Sequence, residues 1–469
     1  MDERMILDQD KFHDECGVAG VYGSKDAANL VYLSLYSLQH RGQEGAGIAV
    51  SDREQIHYER GLGLVADIFS ADVIDKLPGD IAIGHNRYST TGESHVRNVQ
   101  PFCVEINAGP VAVAHNGNIV NADELRNELV RNGAIFNTSS DTEVLVHLVA
   151  KSGRDELVES LTDSLKKLKG AYSLLMMTKE KMIGVRDPLG IRPLILGKLA
   201  NGYILVSETV ALDLIGAEFI REIEPGEMII IDETGMESRF PFKKKKAMPC
   251  IFEHIYFARP DSYLFGRNVY EVRKEMGKRL AKEQPADADI VVPVPDSGVV
   301  ATLGYAEESG IPLEMGLIRN HYVGRTFIEP SQSIRHFGVK IKLNPVKDII
   351  KGKRIVVVDD SIVRGTTSRK IVKMLREAGA LEVHFRICSP PTKYPCFYGI
   401  DTPTRKELVA SSHTTEEIRK FVTADTLGYI SLDCLEECAG GGSFCKACFS
   451  GDYPTLSRSG DGDNPKFEE

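Results

Sequence analysis

Two adjacent carboxylates, Asp359 and Asp360, follow a run of β-branched residues and precede a loop rich in hydroxyl groups. The run, residues 355–358, predicts a strand buried on both faces of a parallel sheet. The loop contains Gly365 and leads into a segment with apolar residues at helical spacing. Because N–H groups at a helix start attract anions, the pattern predicts a phosphate-binding loop beside two acids. The ordinary alternative is a buried strand that ends at a polar loop.

A cysteine near the start of the chain, Cys16, leads into a glycine-rich apolar run, and taken alone it is read as a buried small residue. Polar, glycine-flanked clusters follow beside apolar runs, as expected where loops meet at one pocket; they cover residues 40–47, 84–92, 115–118 and 139–143. Singly, Arg87 would suit a surface ion pair and Asp141 a helix cap, while Asn116 and Gly117 would suit a hairpin turn. All the clusters together favour a pocket that contains a thiol nucleophile.

Two of the nine cysteines, Cys445 and Cys448, are spaced as Cys-x-x-Cys, whereas Cys250 and Cys396 lie far from them in the sequence. Four thiolates satisfy an iron–sulfur cluster and a structural zinc ion equally well. A Cys-x-x-Cys pair alone also suits redox chemistry or no function. Of the remaining cysteines, we predict spare thiols at Cys434 and Cys438 and core residues at Cys103 and Cys388.

The composition limits what kind of protein carries these groups. A chain of 469 residues is expected to form two or three domains, and 42% hydrophobic with 26% charged residues is typical of a soluble globular protein. The net charge of −10 argues against non-specific nucleic-acid binding. We find no run of 18 apolar residues and no secretory signal in residues 1–15, and we predict a cytoplasmic protein without membrane or nucleic-acid partners.

The elements that position these groups change in pattern near the basic stretch 240–246. Before it, strand-like segments alternate with glycine-rich turns, which predicts an α+β domain with antiparallel sheets; these segments are 17–22, 81–83, 111–114, 173–177, 203–207 and 228–231. After it, strands at 290–294, 355–358 and 383–388 alternate with helices, which predicts a parallel α/β sheet. We therefore expect domains at 16–245 and 246–450, with a mobile tail at 451–469.

The acid pair and its loop resemble the phosphoribosylpyrophosphate (PRPP) signature of type I phosphoribosyltransferases. The resemblance implies that the acids contact the ribose hydroxyls and a Mg²⁺ shell and that the loop holds the 5′-phosphate. A second strand, which ends in an Asp-Ser-Gly turn, matches the family's pyrophosphate loop. The implied PRPP-binding residues are Asp296, Ser297, Asp359, Asp360, Ser361, Arg364, Gly365, Thr366 and Thr367. Mg²⁺ would be held through Ser297, Asp359 and Asp360.

The five clusters that begin at Cys16 resemble the class II glutamine amidotransferase domain of the N-terminal nucleophile superfamily. The resemblance implies an αββα four-layer fold and an N-terminal cysteine whose own α-amino group is the base. A free α-amine has a reference pKa near 8 and lies beside the thiol, so it can take the thiol proton near neutral pH. Cys16 fits this role only if residues 1–15 are a propeptide that is removed.

The same resemblance assigns further roles in the glutaminase pocket. Arg87 would bind the α-carboxylate of glutamine and Asp141 its α-ammonium group. The oxyanion hole would consist of Asn116 and the backbone N–H of Gly117. Arg41 would bind glutamine indirectly, by ordering the pocket. Three histidines are predicted to be structural, because the α-amine makes them unnecessary as bases: His40, His85 and His115.

Together the two halves resemble the glutamine PRPP amidotransferase family from residue 16 to about residue 449. The resemblance implies conversion of PRPP, glutamine and water to 5-phosphoribosylamine, glutamate and pyrophosphate, the first committed step of de novo purine (IMP) biosynthesis. It also implies one [4Fe–4S] cluster on Cys250, Cys396, Cys445 and Cys448, feedback inhibition by purine nucleotides and a homotetramer. The alternatives are a PRPP-binding regulator with a vestigial glutaminase domain and a class II amidotransferase with another acceptor.

Overall fold

The computed structural model describes residues 16–88, 95–320 and 343–455. The predicted propeptide, residues 1–15, lies outside this described part, as do residues 456–469 of the predicted tail.

The first half of the described chain is built from strands that alternate with short turns. Their bounds are β1 Gly17–Tyr22, β2 Gly45–Ser51, β3 Ile56–Leu62, β4 Ile81–Arg87, β5 Phe102–Ile106, β6 Gly109–Ile119, β7 Gly170–Met177, β8 Met182–Arg186, β9 Ile195–Leu199, β10 Gly202–Val206, β11 Glu218–Glu222, β12 Met228–Asp232 and β13 Gly235–Arg239. They form a seven-stranded sheet in the order β11-β9-β10-β1-β4-β2-β3 and a six-stranded sheet in the order β13-β12-β8-β7-β6-β5. The strand pairs are antiparallel, so the predicted antiparallel sheets are confirmed.

The two sheets pack face to face and helices cover their outer faces. Val18 and Ile83 from one sheet share a buried cluster with Leu175 and Ile229 from the other. Ala19, the next residue along β1, packs instead beneath the helix layer, because successive strand residues face opposite sides. Strands that are covered on both faces have continuous apolar runs, which explains the apolar segments of the sequence. The predicted αββα arrangement is confirmed.

The helices of this half have bounds Ala27–Ser37, Val65–Ile68, Ala71–Ile74, Ala122–Arg131, Thr142–Lys151, Leu157–Leu165 and Val210–Ile215, with 3₁₀ turns at Gln39–Arg41 and Val96–Asn98.

The second half centres on a parallel sheet. The strands of this half are β14 Tyr263–Leu264, β15 Arg267–Asn268, β16 Ile290–Pro293, β17 Leu317–Arg319, β18 Leu343–Pro345, β19 Arg354–Asp359, β20 Glu382–Ile387 and β21 Thr426–Tyr429. Four of them form the sheet β16-β19-β20-β21, in which every pair is parallel. The predicted strands of this half coincide with β16, β19 and β20, so the predicted parallel α/β sheet is confirmed.

Helices surround that sheet, with bounds Val269–Glu283, Val299–Ser309, Lys347–Ile350, Thr366–Glu377, Val409–Ser412, Thr415–Val422, Leu432–Cys438 and Ala447–Ser450. A π-helix covers Glu253–Phe257 and a 3₁₀ turn covers Arg405–Glu407. Among the helices of the described ranges, none combines the length and apolar character that a bilayer-spanning segment needs.

The packed structure continues beyond the expected end of the second domain. Tyr453 is buried, and its hydroxyl donates a hydrogen bond to the carbonyl of Pro395 at 2.5 Å. Its ring lies 4.9 Å from the ring of Phe397. Thr455 also donates hydrogen bonds to the hydroxyl of Tyr398, from its backbone N–H and from its own hydroxyl, both at 3.0 Å. Residues 451–455, which we expected to be mobile because the tail is rich in glycine, serine and aspartate, therefore belong to the fold.

Candidate active site

The candidate nucleophile lies at the start of β1, beside the end of β4. Gly17 pairs with Asn86 across the two strands, and the Sγ atom of Cys16 lies 3.5 Å from the carbonyl oxygen of Tyr88. Burial lowers the pKa of the neighbouring Arg87, while its electrostatic interactions with Cys16 and Glu44 oppose that shift. The register of two antiparallel strands thus brings a thiol and a guanidinium group together.

The predicted oxyanion residues lie within β6 of the facing sheet and not in a hairpin turn. Asn116 is fully buried, and neither Oδ1 nor Nδ2 of its side chain has a hydrogen-bond partner within the described chain. An unsatisfied buried amide costs roughly 1–3 kcal/mol, so it indicates a place for a ligand atom. Gly117 has a φ of +144°, and a Cβ added there would lie 2.1 Å from the carbonyl oxygen of Ala171. Only glycine fits this position.

Asp141 immediately precedes the helix Thr142–Lys151 but forms no capping hydrogen bond with it. Its Oδ2 atom instead accepts a hydrogen bond of 2.8 Å from the backbone N–H of Ile119, at the end of β6. The carboxylate therefore faces the strand that carries the oxyanion residues. The helix-cap alternative does not describe its contacts.

The histidines of the pocket are held in packed positions. His85 contacts the carbonyl oxygen of His115 at 3.1 Å, and burial, with a smaller effect of Arg87, lowers the pKa of His85 to about 3. Burial also lowers the pKa of His115, against the opposing effect of Asp141. His40 contacts Glu208 at 2.7 Å. These contacts agree with a structural role for all three histidines.

A second polar site lies at the carboxyl ends of the parallel strands. Asp359 is the last residue of β19, and both it and Asp360 are almost fully buried. Ser297, in the turn after the neighbouring strand β16, donates a hydrogen bond to Asp360 Oδ1 at 2.5 Å. Ser361 donates to Asp360 Oδ2 at 2.6 Å. Neighbouring parallel strands thus bring the two predicted turns into contact.

The loop after the acid pair turns sharply into a helix. Gly365 adopts the left-handed conformation with a φ of 78°, and Thr366 begins the helix Thr366–Glu377. Two of the predicted PRPP ligands are already engaged by opposite charges. Arg364 forms an ion pair of 2.7 Å with Glu407, and Asp296 is paired with Arg319.

The four cysteines of the candidate set are all buried in one apolar cluster of the second half: Cys250, Cys396, Cys445 and Cys448. Cys250 and Cys445 are joined by an isolated parallel bridge. Burial, together with the nearby Cys396, raises the pKa of Cys445 to about 12. In the described ranges, no three or more side chains of His, Cys, Asp or Glu are arranged to hold a metal ion.

The other cysteines differ in burial. Cys388 is buried, as predicted, whereas Cys103 is only partly buried because it lies on β5, an edge strand of the six-stranded sheet. Cys438 belongs to the same apolar cluster as the four candidate ligands, and Cys434 is partly exposed.

The two halves of the chain match two known domain families. The family described as "Glutamine amidotransferase domain" matches residues 85–214, and "Phosphoribosyl transferase domain" matches residues 266–388. Amidophosphoribosyltransferase 1, chloroplastic, of Arabidopsis thaliana is 54% identical over 95% of this chain and 80% of its own length. Amidophosphoribosyltransferase of Bacillus subtilis (strain 168) is 51% identical over 96% of each chain. This chain belongs to the amidophosphoribosyltransferase family.

A solved structure supports the same assignment. The B. subtilis glutamine PRPP amidotransferase complexed with ADP and GMP matches with a TM-score of 0.90 and 51% identity, over 94% of this chain and 98% of that one. An amidophosphoribosyltransferase is a glutamine-dependent phosphoribosyltransferase of purine biosynthesis, so the predicted fold and function are confirmed. The two alternative functions are not favoured: a PRPP-binding regulator with a vestigial glutaminase domain, and a class II amidotransferase that uses another acceptor. The relatives that match nearly the whole chain are amidophosphoribosyltransferases.

A buried polar network joins the two halves of the chain, and most of it was not predicted from the sequence. Arg41 is fully buried, and its Nε atom bonds to Glu208 at 2.5 Å while Nη2 bonds to Glu253. Arg192, also fully buried, lies 3.4 Å from Glu253. The guanidinium of Arg41 is thus directed to two carboxylates, which fits the predicted ordering of the pocket. The available sequence signal for this network was Arg192, a charged residue within the otherwise apolar segment 191–194.

Proposed function

We propose that this chain hydrolyses glutamine at Cys16 and uses the released ammonia to displace pyrophosphate from C1 of PRPP beside Asp359. Glutamine and water give glutamate and ammonia, and ammonia and PRPP give 5-phosphoribosylamine and pyrophosphate. The observation that carries the glutaminase half is the buried, unpartnered amide of Asn116, which lies in the sheet facing the one that Cys16 begins. Such a group is available to an anion that forms only during the reaction.

Glutamine hydrolysis requires a thiol nucleophile, a base that takes the thiol proton and hydrogen-bond donors for the oxyanion. After removal of residues 1–15, the α-amine of Cys16 takes the thiol proton, and the thiolate attacks the amide carbon of glutamine. Negative charge then builds on the amide oxygen, where Asn116 Nδ2 and the Gly117 N–H donate hydrogen bonds. The ammonium form of the α-amine returns the proton to the leaving nitrogen, and water hydrolyses the thioester to glutamate.

Two opposite charges orient glutamine for this attack. Arg87 binds its α-carboxylate, and the electrostatic influence of Cys16 on this guanidinium supports placing both side chains in one pocket. Asp141 binds the α-ammonium group while its Oδ2 holds the end of β6. Holding both ends of the substrate places the amide carbon beside the thiol.

On the phosphoribosyl side, the loop of hydroxyls and backbone N–H groups holds the 5′-phosphate. Its residues are Ser361, Arg364, Gly365, Thr366 and Thr367. The carboxylates of Asp359 and Asp360 accept hydrogen bonds from the ribose hydroxyls, and the turn at Asp296 and Ser297 holds the pyrophosphate. The contact between Ser297 and Asp360 supports placing both turns at one substrate.

Mg²⁺ is part of the proposal, held by Ser297, Asp359 and Asp360. This ion is usually bound through one or two carboxylates, substrate phosphates and several waters, and it rarely has a cage of protein ligands. Two buried carboxylates beside a hydroxyl fit that mode, even though the described residues form no three-ligand group. When bound, the ion would neutralise charge on the pyrophosphate.

A [4Fe–4S] cluster on Cys250, Cys396, Cys445 and Cys448 is the proposed structural cofactor. Its support is the burial of all four thiols in one apolar cluster, together with the chemistry of four cysteine ligands. Structural zinc is the alternative with the same ligands. No step of the reaction uses either metal.

The remaining parts of the proposal concern assembly and regulation. We propose domains at 16–245 and 246–450, the second extended by the packed residues 451–455, as well as a cytoplasmic homotetramer and feedback inhibition by purine nucleotides. The B. subtilis relative was solved with ADP and GMP bound, which supports nucleotide binding in this chain.

The assay supplies glutamine, PRPP and Mg²⁺ and follows glutamate and pyrophosphate together. Pyrophosphate should appear only when an amine donor is present, and release without a donor would contradict the transfer reaction. Intact-mass analysis of the active protein tests processing. A chain that still begins at Met1 and is active would rule out the α-amine as the base.

A further inference from the structure

A short segment of the second half lies directly against the proposed oxyanion strand. Asn118, two residues beyond Asn116 on β6, donates a hydrogen bond from Nδ2 to the carbonyl of Phe397 at 3.0 Å. A Cβ added to Gly399 would lie 3.0 Å from the carbonyl carbon of Gly117 and 3.1 Å from its Cα. The segment 397–399 therefore touches the backbone of the oxyanion residue.

The contact leaves little room for movement at Gly117. A Cβ added to Gly117 would lie 2.1 Å from the carbonyl oxygen of Ala171, which belongs to the neighbouring strand β7. Gly399 has a φ of +109° and Gly117 a φ of +144°, and L side chains rarely adopt either conformation. The two backbones approach closely because both residues lack a side chain.

The segment is itself fixed by buried groups. Arg192 donates from Nε and Nη2 to the carbonyl of Tyr398 at 2.8 and 2.5 Å, and its Nη1 lies 3.4 Å from Glu253. The backbone N–H of Tyr398 donates to Cys396 Sγ at 3.3 Å. Because packed interiors yield little, a displacement of this segment is transmitted to the strand it touches.

We propose that Gly399, Asn118 and Arg192 are positioning residues for glutamine hydrolysis. Through segment 397–399 they set the position of the Gly117 backbone N–H, although none of them contacts glutamine. The inference rests on the proposed function of Gly117 as an oxyanion donor. Because the oxyanion exists only in the transition state, displacing its donor lowers kcat and leaves the KM for glutamine nearly unchanged.

The first test is Gly399→Ala, which adds a methyl group against Gly117. We expect kcat for glutamine-dependent glutamate release to fall about tenfold or more, since loss of one such donor costs about 10²–10³ in kcat. The KM for glutamine should change less than about twofold, the limit we set for unchanged ground-state binding. Synthesis from PRPP and free ammonia should continue at the wild-type rate.

The matched control is Gly109→Ala at the other end of β6. Gly109 has a φ of +97°, and an added Cβ would meet nothing within 4 Å. The control therefore adds similar backbone strain without a contact, and it should leave kcat for glutamine near the wild-type value.

A second variant, Asn118→Ala, removes the hydrogen bond to Phe397 without adding volume, and it should lower the same kcat to a smaller extent. Alkylation of Cys16 by iodoacetamide needs no oxyanion hole, so its rate should be unchanged in both variants. Wild-type kcat in both variants, or equal losses with glutamine and ammonia, would overturn the inference. Glutamine use that survives Cys16→Ala in the otherwise wild-type chain would instead overturn the proposed function.

Discussion

The hydroxyl of Ser297 donates a hydrogen bond to the carboxylate of Asp360 at 2.5 Å, although 63 residues separate them. The two residues follow neighbouring parallel strands, β16 and β19, whose carboxyl ends meet at one edge of the sheet. Asp360 also accepts a hydrogen bond from Ser361. The turn after β16 and the loop after β19 are thus joined by a direct hydrogen bond, and the acid pair lies where they meet.

We predict that Asp359→Ala abolishes synthesis of 5-phosphoribosylamine with either glutamine or ammonia as the nitrogen donor. Both donors need the same bound PRPP, and the substitution removes a buried acid at its site. Pyrophosphate release measured with each donor checks this. Asp287→Ala removes an exposed carboxylate that pairs with Arg354 and should leave both rates unchanged. A variant at Asp359 that keeps ammonia-dependent synthesis would contradict the assignment.

We predict the opposite selectivity for Cys16→Ala. This variant should lose glutamine-dependent synthesis but retain synthesis from free ammonia, because only the release of ammonia needs the thiol. Glutamate and pyrophosphate are followed separately with each donor. Cys103→Ala, at a partly buried cysteine on an edge strand, is the control and should retain both reactions. Loss of both reactions in Cys16→Ala alone would mean that this cysteine has a structural role.

Sequence periodicity predicted the sheets well because strands covered on both faces must be apolar throughout. The acid pair was also predictable, since Asp359 and Asp360 are adjacent in the sequence and their strand is strongly patterned. The network around Arg41 was not predictable, because its partners Glu208 and Glu253 lie 167 and 212 residues away. No local pattern encodes a contact over such separations.

The tail differs from its prediction for the same reason. Its composition indicated mobility, yet Tyr453 is buried against distant residues, and Thr455 hydrogen-bonds to the hydroxyl of Tyr398. These tertiary contacts outweigh the local composition. The ion pair of Arg364 with Glu407, which lies on a 3₁₀ turn 43 residues later, was likewise not predictable from local sequence.

We predict that Glu253→Gln destabilises the protein strongly. The change leaves Arg41 and Arg192 buried with less opposite charge, and breaking a buried ion pair from one side costs roughly 3–5 kcal/mol. Urea unfolding measures the loss. Glu275→Gln, in an exposed pair with Arg279, is the matched control and should cost far less, because solvent screens such a pair. Equal losses in the two variants would contradict a special contribution of the buried network.

We predict that Glu208 makes the folded state sensitive to acid. Burial alone raises the pKa of this carboxyl, but His40 and Arg41 outweigh that effect and lower the pKa below its ordinary value of 4.5. The stabilisation is therefore complete above pH 4.5 and is lost as the pH falls towards the lowered pKa of the folded state. Unfolding free energies measured at several pH values should decline less steeply below pH 4.5 in Glu208→Gln than in the wild type. Parallel curves for the two proteins would contradict the prediction.

We predict that the buried cysteine set holds iron and sulfide, and that Cys445→Ser reduces both. Cys445 is bridged to Cys250 through the backbone and is buried in the same apolar cluster as Cys396, so its substitution removes one of four clustered thiols. Cys434→Ser is the matched control, because Cys434 is also in the second half but is partly exposed and outside the set. Iron, zinc and acid-labile sulfide are measured in each purified protein. If the wild type contains zinc but no sulfide, the site is a structural zinc site and not a cluster. If the two variants contain equal iron and sulfide, Cys445 is not a ligand.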